Sequence, residues 1–352
     1  MGTRMETQLA VSVIIPTYNR EAELKQTLSH LLEQTTRQFE IIVVDNSSVD
    51  NTAGMVASMA EHTEIPIRYF VKPPNGPASA RNLGLANRKA PKVLFLDSDV
   101  NLKQDWIATA LQFMQARPDA TGVGGAVIYD FDRQRVNAFG GDIGFFGFAW
   151  DLCENVSIDT LTEPEQRIWI NCSAMLVNAD ALEQVGAFDE RYFYGYEDSD
   201  IGWKLNIAGY SVWVHPELHA YHKVQAQPGE ANGIIVRHYC KNRLASLIQN
   251  AQAPALLARL FLYLSFSLID LIVKPYRLAK LSALGWNILQ LPTTWSQRKH
   301  IQALRKVDDD AIFSLGEKRW LPPTPLNGQR RRPVELEGAE STAPTSKADD
   351  RV

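Results

Sequence analysis

The sequence predicts an α/β protein with a mostly parallel sheet between layers of helices and a C-terminal helical extension. Short apolar runs rich in β-branched residues alternate with segments whose leucines recur at helical spacing, from residue 11 to about residue 222. Several of these runs end in a polar residue, which is typical of buried parallel strands. From residue 255 the pattern changes to apolar helical stretches with basic residues. We therefore expect a sheet domain over residues 1–250, the helical extension over 251–320, and a tail over 321–352.

The first hundred residues alternate strictly between strand and helix patterns. The strands are predicted at residues 11–15, 40–45, 67–71 and 92–96. The helices between them are predicted at residues 21–34, 52–60 and 78–87. Because two parallel strands need a long crossover connection, this alternation indicates a parallel sheet with helices on both faces.

The second part of the sheet domain is less regular. A helix at residues 103–117 and a strand at 122–129 precede a long interruption. After it come elements predicted at residues 174–177 (strand), 179–185 and 197–208 (helices), and near residues 212 and 222 (strands). Within the interruption, residues 137–150 mix glycines with aromatic residues. Such a segment is typical either of a mobile loop that offers flat rings to a sugar or lipid, or of a packed β-hairpin.

Composition and charge exclude several classes of protein. Of the 352 residues, 45% are hydrophobic and 22% charged, so the chain can bury a sizeable core and is not disordered throughout. Its 36 basic and 40 acidic residues give a net charge of −4, without the basic excess expected of a nucleic-acid-binding protein. Three cysteines without a Cys-x-x-Cys pair indicate neither a disulfide framework nor a thiolate metal site. We expect a cytoplasmic protein, since the first ten residues also lack an apolar run of signal-peptide length.

Residues 255–306 form a basic segment. They hold eight basic residues and one acidic residue, Asp270, which gives about +7 in a chain of net charge −4. Their most apolar run, residues 260–273, is shorter than the roughly 20 residues that a membrane-spanning helix needs. We expect an amphipathic, peripheral contact with an anionic membrane surface; packing on the chain's own domain or across a homo-oligomer is the alternative. The tail over 321–352 is rich in Pro, Gly, Ser, Thr and charge, and we expect it to be disordered.

Polar side chains follow three of the predicted strands, where ligands of open parallel sheets bind. They are Pro16, Thr17, Tyr18 and Arg20 after the first strand, Asp45 after the second, and Asp97 and Asp99 after the fourth. No Gly-x-Gly-x-x-Gly or Walker lysine loop is present there, which argues against dinucleotide redox chemistry and P-loop phosphoryl transfer. Asp45 could accept hydrogen bonds from a base or ribose, while Asp97 and Asp99 could hold a ribose and a divalent cation. Helix capping is the alternative for Asp45 and Asp99.

A second candidate group lies in residues 75–82, which include Gly76 and begin a predicted helix. Arg81 and Asn82 fall in the first turns of that helix. From there Arg81 could reach a phosphate or an active-site carboxylate, because a guanidinium binds either in a bidentate manner. A surface salt bridge is the alternative.

The densest cluster is residues 188–200, in which aromatic residues run directly into acidic ones. On the helix predicted there, Asp198 precedes Ile201 by three residues and Leu205 by seven, which places it on the apolar, inward face. A partly desolvated carboxylate of this kind is suited to act as a general base, and an N-cap is the alternative. His222 is a candidate metal ligand, although a lone histidine is more often simply packed.

Six short segments in this order resemble a family 2 glycosyltransferase of the GT-A fold, a Rossmann-like sheet between helices, over residues 11–250. They are Pro16-Thr17-Tyr18-Asn19-Arg20, Val44-Asp45-Asn46-Ser47-Ser48, Ala80-Arg81-Asn82 with Gly84, Leu96-Asp97-Ser98-Asp99, Gly186-Ala187-Phe188-Asp189-Glu190 and Glu197-Asp198-Ser199-Asp200-Ile201-Gly202-Trp203. The Glu-Asp signature is similar to that of rhamnosyltransferase-like enzymes of bacterial surface polysaccharide synthesis. Each segment alone is a weak signal, and their common order makes the resemblance specific.

The resemblance implies roles for these residues. Thr17, Tyr18 and Asp45 would hold the base of a nucleoside diphosphate sugar, with Asp97 on the ribose or sugar. Pro16, Arg20, Gly76, Arg81 and Asn82 would complete the donor side. Asp99 and His222 would hold Mn or Mg, Asp198 would be the catalytic base, and Tyr196 and Glu197 would lie on the acceptor side.

The reaction implied is an inverting, metal-dependent transfer of a sugar to a glycan or lipid-linked acceptor at the inner face of a bacterial membrane. Two other functions are compatible with the same residues. One is a sugar nucleotidyltransferase with the same fold, and the other is a non-catalytic, membrane-associated scaffold that binds a sugar nucleotide. The sequence indicates no nucleic-acid partner.

Overall fold

The computed structural model describes residues 9–223, 232–253 and 255–322. The strands are β1 Val11–Thr17, β2 Phe39–Asp45, β3 Ile67–Val71, β4 Lys92–Leu96, β5 Val100–Leu102, β6 Ala120–Tyr129, β7 Asp132–Ala138, β8 Gly141–Ile143, β9 Ala149–Asp151, β10 Glu165–Arg167, β11 Ala174–Asn178 and β12 Ser211–His222. The helices are α1 Glu21–Leu32, α2 Thr52–Glu61, α3 Pro77–Ala86, α4 Trp106–Ala116, α5 Ala179–Gln184, α6 Glu197–Ile207, α7 Gly233–Asn250, α8 Ala255–Val273, α9 Arg277–Leu289, α10 Leu291–Ala303 and α11 Asp309–Phe313.

Ten of the described strands form one sheet, in the order β10-β12-β6-β11-β4-β1-β2-β3, with β5 beside β12 and β7 beside β6. Strands β4, β1, β2 and β3 are parallel neighbours, as are β6 and β12. Strand β11 joins these two parallel groups, because it runs antiparallel to both β4 and β6. The predicted α/β fold is confirmed, and the chain reversal at β11 is a feature that the strand patterns did not show.

The sheet is buried on both faces because its central strands are apolar throughout. All seven residues of β1 are buried, and side chains that follow one another in a strand point to opposite faces. Val13 and Ile15 pack on one face with Leu24 and Trp106, whereas Ile14 packs on the other. The two cores fix the register of β1, and with it the position of the residues that follow the strand.

Residues 137–150 adopt the hairpin that was one of the two alternatives. Strands β8 and β9 pair antiparallel through three residue pairs. Between them, the ring of Phe145 stacks on Trp320 with a centroid distance of 5.2 Å, and Phe146 meets the same ring at 5.7 Å. The aromatic residues of this segment therefore pack against the C-terminal part of the chain instead of forming a mobile loop.

Helix α7 was not predicted, although it has eighteen residues. Its second half, from Lys241 to Asn250, is buried on every side and contains polar residues throughout. Asn242, Ser246 and Asn250 use their side chains for hydrogen bonds to neighbouring elements. Polar residues are buried on the other sides of this half as well, so the short apolar repeat of Leu244, Leu247 and Ile248 does not stand out as a helical pattern.

The C-terminal extension packs on the sheet domain through α7 and α10. Arg298 on α10 donates hydrogen bonds to the carbonyl oxygens of Ile248 (2.8 Å) and Ala251 (2.6 Å). Arg191, in the loop between α5 and α6, donates to the hydroxyl of Thr294 on α10 at 3.1 Å. The described helices therefore continue the sheet domain across residue 250. The predicted tail lies outside the described residues from position 323 onward.

Helix α8 is longer than the apolar run that the sequence analysis considered. It extends over nineteen residues, and within the described part of the chain it is the one helix long and apolar enough to cross a membrane by length and composition. Only Leu256, Arg259 and Tyr263 of this helix are buried. On its outer side, leucines, isoleucines and a phenylalanine are exposed. The fourteen-residue length was therefore the wrong basis for judging this segment.

Candidate active site

The second aspartate after β4 lies next to the predicted histidine. Asp99 is only 8% exposed, and the Nε2 atom of His222 is 3.6 Å from its Oδ1 atom. The register of the sheet causes this contact, since β12 pairs antiparallel with β5 and His222 lies opposite Val100. Asp99 also pairs with the guanidinium of Arg20, at the start of α1. It does not cap α4, whose N-cap is Asp105, so the capping alternative for Asp99 is wrong.

The chemistry of this donor set fits a divalent cation. The described residues contain no group of three or more His, Cys, Asp or Glu side chains that could hold a metal by themselves. A carboxylate and an imidazole can nevertheless supply two ligands of a Mn or Mg ion that takes its remaining ligands from phosphate oxygens and water. Burial and the charge of Asp97 raise the pKa of Asp99, whereas His222 and Arg20 oppose the shift. A divalent cation bound here would reduce the repulsion between the carboxylates of Asp97 and Asp99.

Arg81 on α3 is the centre of the acidic cluster and is only 3% exposed. Its Nη2 atom is 2.9 Å from Asp97 Oδ1, and its Nη1 atom is 3.3 Å from Glu197 Oε1 and 3.6 Å from Asp198 Oδ1. One guanidinium thus holds three carboxylates from the ends of two elements. Arg81 therefore contacts buried and partly buried carboxylates that are candidates for the active site, and the surface salt bridge is not the arrangement observed.

Asp198 has one oxygen in a hydrogen bond and the other facing the guanidinium of Arg81. Its Oδ2 atom accepts a hydrogen bond of 3.0 Å from the backbone N–H of Cys172, while Oδ1 has no hydrogen-bond partner among the described residues. The side chain remains 25% exposed. Burial raises the pKa of Asp198, against the attraction of Arg81. Burial and the neighbouring charge of Asp198 also raise the pKa of Glu197, to about 7.

Asp198 is partly buried for a different reason from the predicted apolar face of its helix. Helix α6 has no single apolar face, because every residue from Ser199 to Ile207 is buried. Asp198 is partly buried because it lies in the first turn of a helix that enters the core. The N-cap position belongs to Tyr196, so the capping alternative for Asp198 is wrong as well.

Tyr196 links α6 to the β8–β9 hairpin. Its backbone is left-handed, with φ of +73°, and its hydroxyl accepts a hydrogen bond of 3.4 Å from the backbone N–H of Ala149. Its ring lies 5.9 Å from the ring of Tyr239 on α7, which also meets Tyr194 at 6.0 Å. Three tyrosines from two elements therefore border the acidic cluster on the side of α7.

Two polar residues near Asp198 were missed by the sequence analysis. Asp151, at the end of β9, accepts a hydrogen bond of 2.9 Å from the side chain of Asn171. Desolvation and the charge of Asp198 raise the pKa of Asp151 to about 6. No local pattern distinguishes Asp151, because it reaches the site only through the fold of the hairpin.

The ends of β1 and β2 bring three predicted base-binding residues together. Thr17 pairs with Asp45 in the parallel register, and the ring of Tyr18 directly after β1 is 53% exposed. Asp45 accepts hydrogen bonds from the backbone N–H (2.8 Å) and hydroxyl (2.7 Å) of Ser48 and from the hydroxyl of Tyr69. Helix α2 begins after Asn51, so Asp45 is not its cap. Pro16 is buried within β1.

Asn82 and Gly76 lie against the loop that precedes α6. Asn82 accepts from the backbone N–H of Phe188 at 3.1 Å and donates to its carbonyl at 2.9 Å. Both ends of its amide are therefore used in holding this loop, and its predicted contact with the donor stays a prediction. Gly76 has φ of +87°, and a Cβ atom there would lie 2.6 Å from the carbonyl oxygen of Phe193. Glycine is required at this position by conformation and by space.

Comparisons with known proteins agree with this geometry. The sequence model of "Glycosyl transferase family 2" matches residues 12–152, and that of "Glycosyl transferase family group 2" matches residues 92–295, more than half of the chain. The chain is 27% identical over 186 residues to glycosyltransferase GlyG of Streptococcus pneumoniae, which is 52% of this chain and 59% of that protein. It is 29% identical over 244 residues to validoxylamine A glucosyltransferase of Streptomyces hygroscopicus, which is 63% of this chain and 53% of that protein.

These curated relatives are longer than the matched part of this chain. The chain spans 17% to 59% of the length of four of them, two of which are uncharacterized glycosyltransferases of Rickettsia. The matches therefore concern shared domains.

Solved structures share the fold. Mannosyltransferase PcManGT from Pyrobaculum calidifontis, solved in complex with GDP-Man and Mn2+, aligns with a TM-score of 0.53 and 22% identity over 84% of this chain and 86% of its own. S. aureus TarS 1-349 in complex with UDP-GlcNAc aligns with a TM-score of 0.54 and 18% identity, over 84% of this chain and 90% of its own.

Proposed function

The chain is a member of glycosyltransferase family 2, and on that premise we propose that it transfers a sugar from a nucleoside diphosphate sugar to an acceptor hydroxyl. The observation that carries this proposal is the acidic cluster around Arg81, where Asp97 and Asp198 meet at the carboxyl ends of the strands. Open α/β sheets bind their ligands at this edge. The relatives named above include glycosyltransferases, which supports the same activity.

The base in this proposal is Asp198. Its carboxylate, which is 25% exposed, takes the proton of the acceptor hydroxyl as the acceptor oxygen forms a bond to the anomeric carbon of the sugar. The bond from that carbon to the diphosphate breaks, and its electron pair leaves with the diphosphate. A single displacement of this kind inverts the anomeric centre. The raised pKa of Asp198 suits the role, because a base works best when its pKa lies near the working pH.

The donor would lie across the ends of β1, β2 and β4. Thr17, Tyr18 and Asp45 would contact the base, and Asp97 would contact the ribose or the sugar. Asp99 and His222 would hold a Mn or Mg ion together with the diphosphate. Such a cation stabilises the negative charge of a leaving diphosphate. The Mn2+ in the complex of the mannosyltransferase from Pyrobaculum calidifontis supports this proposal.

We also place the protein peripherally on the inner face of the membrane, within bacterial cell-surface glycan synthesis. The exposed apolar side chains of α8 and α9 support the membrane contact, since soluble monomers rarely expose a continuous apolar patch of that extent. The electrostatic attraction to the membrane is weaker than the net charge of residues 255–306 indicated. Arg259 and Arg298 are buried, and Arg305 pairs with Asp309 at 3.1 Å, so these three cations do not face a lipid surface.

A screen of nucleotide sugars tests the proposed function. We expect release of a nucleoside diphosphate from one donor of the panel when an acceptor sugar and Mn or Mg are both present, and loss of that release after exhaustive chelation or without the acceptor. Asp99→Ala should remove most of the activity even at saturating donor, whereas Asp180→Ala, at an exposed position, should not. A nucleotidyltransferase would instead release pyrophosphate from a nucleoside triphosphate and a sugar phosphate. Full activity without a divalent cation would contradict the metal assignment.

A further inference from the structure

Arg243 on α7 is a buried cation without an anion. It is 8% exposed, and among the described residues it has no carboxylate within ion-pair distance. Its guanidinium lies over the ring of Phe148 at 3.8 Å and over that of Tyr263 at 5.1 Å. Its Nε atom has no hydrogen-bond partner in the described part of the chain, and its Nη2 atom is 3.5 Å from the Tyr263 hydroxyl.

Other buried arginines of this chain are compensated. Arg81 faces three carboxylates, Arg259 is 3.2 Å from Asp309, and Arg298 donates to two backbone carbonyls. Burying an unpaired charge is costly, so such a group is most readily explained by a ligand that supplies the anion.

A cavity of about 200 Å³ lies between α7, α8 and α9, with Arg243 in its wall. The remaining wall is mainly apolar and includes Tyr263, Leu264, Leu268, Leu271, Leu281 and Leu284. Leu264 and Leu268 are 47% and 60% exposed, and they belong to the same outer face of α8 that carries the uncovered apolar side chains. The cavity therefore opens onto the apolar surface of the extension.

The charge around the cavity is positive. Asp270 is its one lining carboxylate, and two lysines already pair with it, Lys280 at 2.6 Å and Lys274 at 3.1 Å. The cavity wall itself therefore holds two cations, Arg243 and Lys280, against one anion, and Lys274 adds a third positive charge outside the wall. A ligand that complements the cavity carries a negative group at one end and an apolar chain at the other.

Two tyrosines connect the cavity to Asp198. Tyr239 lies one helical turn before Arg243 on α7, on the same side of the helix. Its ring is 5.9 Å from that of Tyr196, which precedes Glu197 and Asp198 at the start of α6. Tyr239 and Tyr196 therefore form a chain of neighbouring rings from Arg243 to the start of α6, where the proposed base lies.

We propose that the acceptor is a lipid-linked sugar phosphate whose phosphate binds Arg243. The leucines of α8 and α9 contact the first part of the lipid chain, and the sugar reaches Asp198 past Tyr239 and Tyr196. This inference rests on the proposed function, because it names the acceptor class of that transfer. Guanidinium is suited to the role, since it donates two parallel hydrogen bonds to a phosphate.

Binding of three probes tests this assignment by calorimetry. Farnesyl phosphate carries both features of the ligand, farnesol lacks the phosphate, and inorganic phosphate lacks the chain. We expect farnesyl phosphate to bind at least tenfold more tightly than either of the others. Arg243→Gln should weaken its binding roughly 10- to 100-fold, the loss expected for a hydrogen bond to a charged group, and should leave farnesol binding within about threefold. The control Arg237→Gln, on the same helix but outside the cavity, should leave all three unchanged.

Two results of this experiment would overturn the assignment. If farnesyl phosphate and farnesol bind equally well, Arg243 serves only to hold Phe148 and Tyr263 together. If inorganic phosphate binds as tightly as farnesyl phosphate, the apolar wall does not receive a chain.

A second measurement needs no variant and so does not depend on the folding of Arg243→Gln. Cys240 lines the cavity, whereas Cys153 does not. We expect farnesyl phosphate to slow alkylation of Cys240 by iodoacetamide, measured by mass spectrometry, with the rate at Cys153 as the internal reference. An unchanged rate at Cys240 at saturating farnesyl phosphate would overturn the assignment.

The outcomes separate this inference from the proposed function. A protein that turns over a nucleotide sugar but shows no preference for farnesyl phosphate contradicts the inference alone. A protein with an Arg243-dependent preference that turns over no nucleotide sugar supports the lipid-phosphate site and contradicts the proposed transfer.

Discussion

Arg81 and Arg243 are both buried, and they differ in what surrounds them. Arg81 faces Asp97, Glu197 and Asp198, so its charge is compensated within the chain. Arg243 faces two aromatic rings and has no carboxylate partner among the described residues. If Arg243 binds the acceptor as we propose, one half of the site is electrostatically complete within the chain, whereas the other half receives its anion from the ligand.

Asp198→Asn tests the acidic cluster around Arg81 most directly, and we expect the largest effect of all there. Asparagine keeps the size of the side chain and can still accept the hydrogen bond from Cys172, but it cannot take a proton. General-base catalysis contributes about 10²- to 10⁴-fold, so kcat should fall by roughly that factor while donor affinity stays unchanged. Steady-state kinetics with the matched variant Asp180→Asn, at an exposed position, checks this. A variant with near wild-type kcat would make Asp198 structural.

Arg81→Met removes the shared cation and tests whether the cluster needs it to fold. Breaking a buried ion pair from one side typically costs 3–5 kcal/mol, because the carboxylates are left without compensation. We expect a loss of about that size in the free energy of unfolding, measured by urea denaturation. Arg88 is the control, since it also pairs with two acidic residues, but at the surface. Arg88→Met should cost less than about 1 kcal/mol. Equal losses for the two variants would show that Arg81 is not a special partner.

Glu197 makes the stability of the same cluster depend on pH. Burial and Asp198 raise its pKa in the folded protein to about 7, from a usual value near 4.5. The folded state therefore binds more protons than the unfolded state between these values. Stability from this group is fully present below pH 4.5 and is lost as the pH rises through about 7.

The corresponding measurement is the free energy of unfolding across that pH range. We expect the wild-type protein to lose on the order of 1–3 kcal/mol from this group as the pH rises, and Glu197→Gln to lose less. Asp180→Asn should follow the wild-type curve. If Glu197→Gln has the wild-type slope, another group such as Asp151 titrates in this range.

The two halves of the site also differ in how far the sequence could predict them. The sequence could predict that Thr17, Asp45 and Asp99 lie at or just after strand ends, because this position depends on local order along the chain. The pairing of His222 with Asp99 depends on the register between β5 and β12, which a single sequence does not specify. The β8–β9 hairpin remained one of two alternatives, because the aromatic partner of Phe145 lies 175 positions further along the chain, at Trp320.

Arg243 illustrates the limit most clearly. It lies in a helix whose buried half is polar, so neither periodicity nor a motif identifies α7. Its environment is formed by Phe148 from the hairpin and Tyr263 from α8. A missing partner is a property of the folded chain and has no counterpart in the order of its residues.

Attachment to lipid vesicles tests the apolar surface of α8 and α9 beside Arg243, and here we expect the smallest single effects. Leu278 on α9 is 83% exposed, and burying a leucine in lipid contributes about 2 kcal/mol, so Leu278→Ala should weaken sedimentation with anionic vesicles by an amount of that order. Lys274→Gln should cost about 1 kcal/mol or less, because its partner Asp270 already offsets part of its charge. The control is Val49→Ala, at an apolar position that is 88% exposed but lies in the sheet domain, outside α8 and α9. Complete release of the protein by high salt would show that charge, and not the apolar face of α8 and α9, holds it to the membrane.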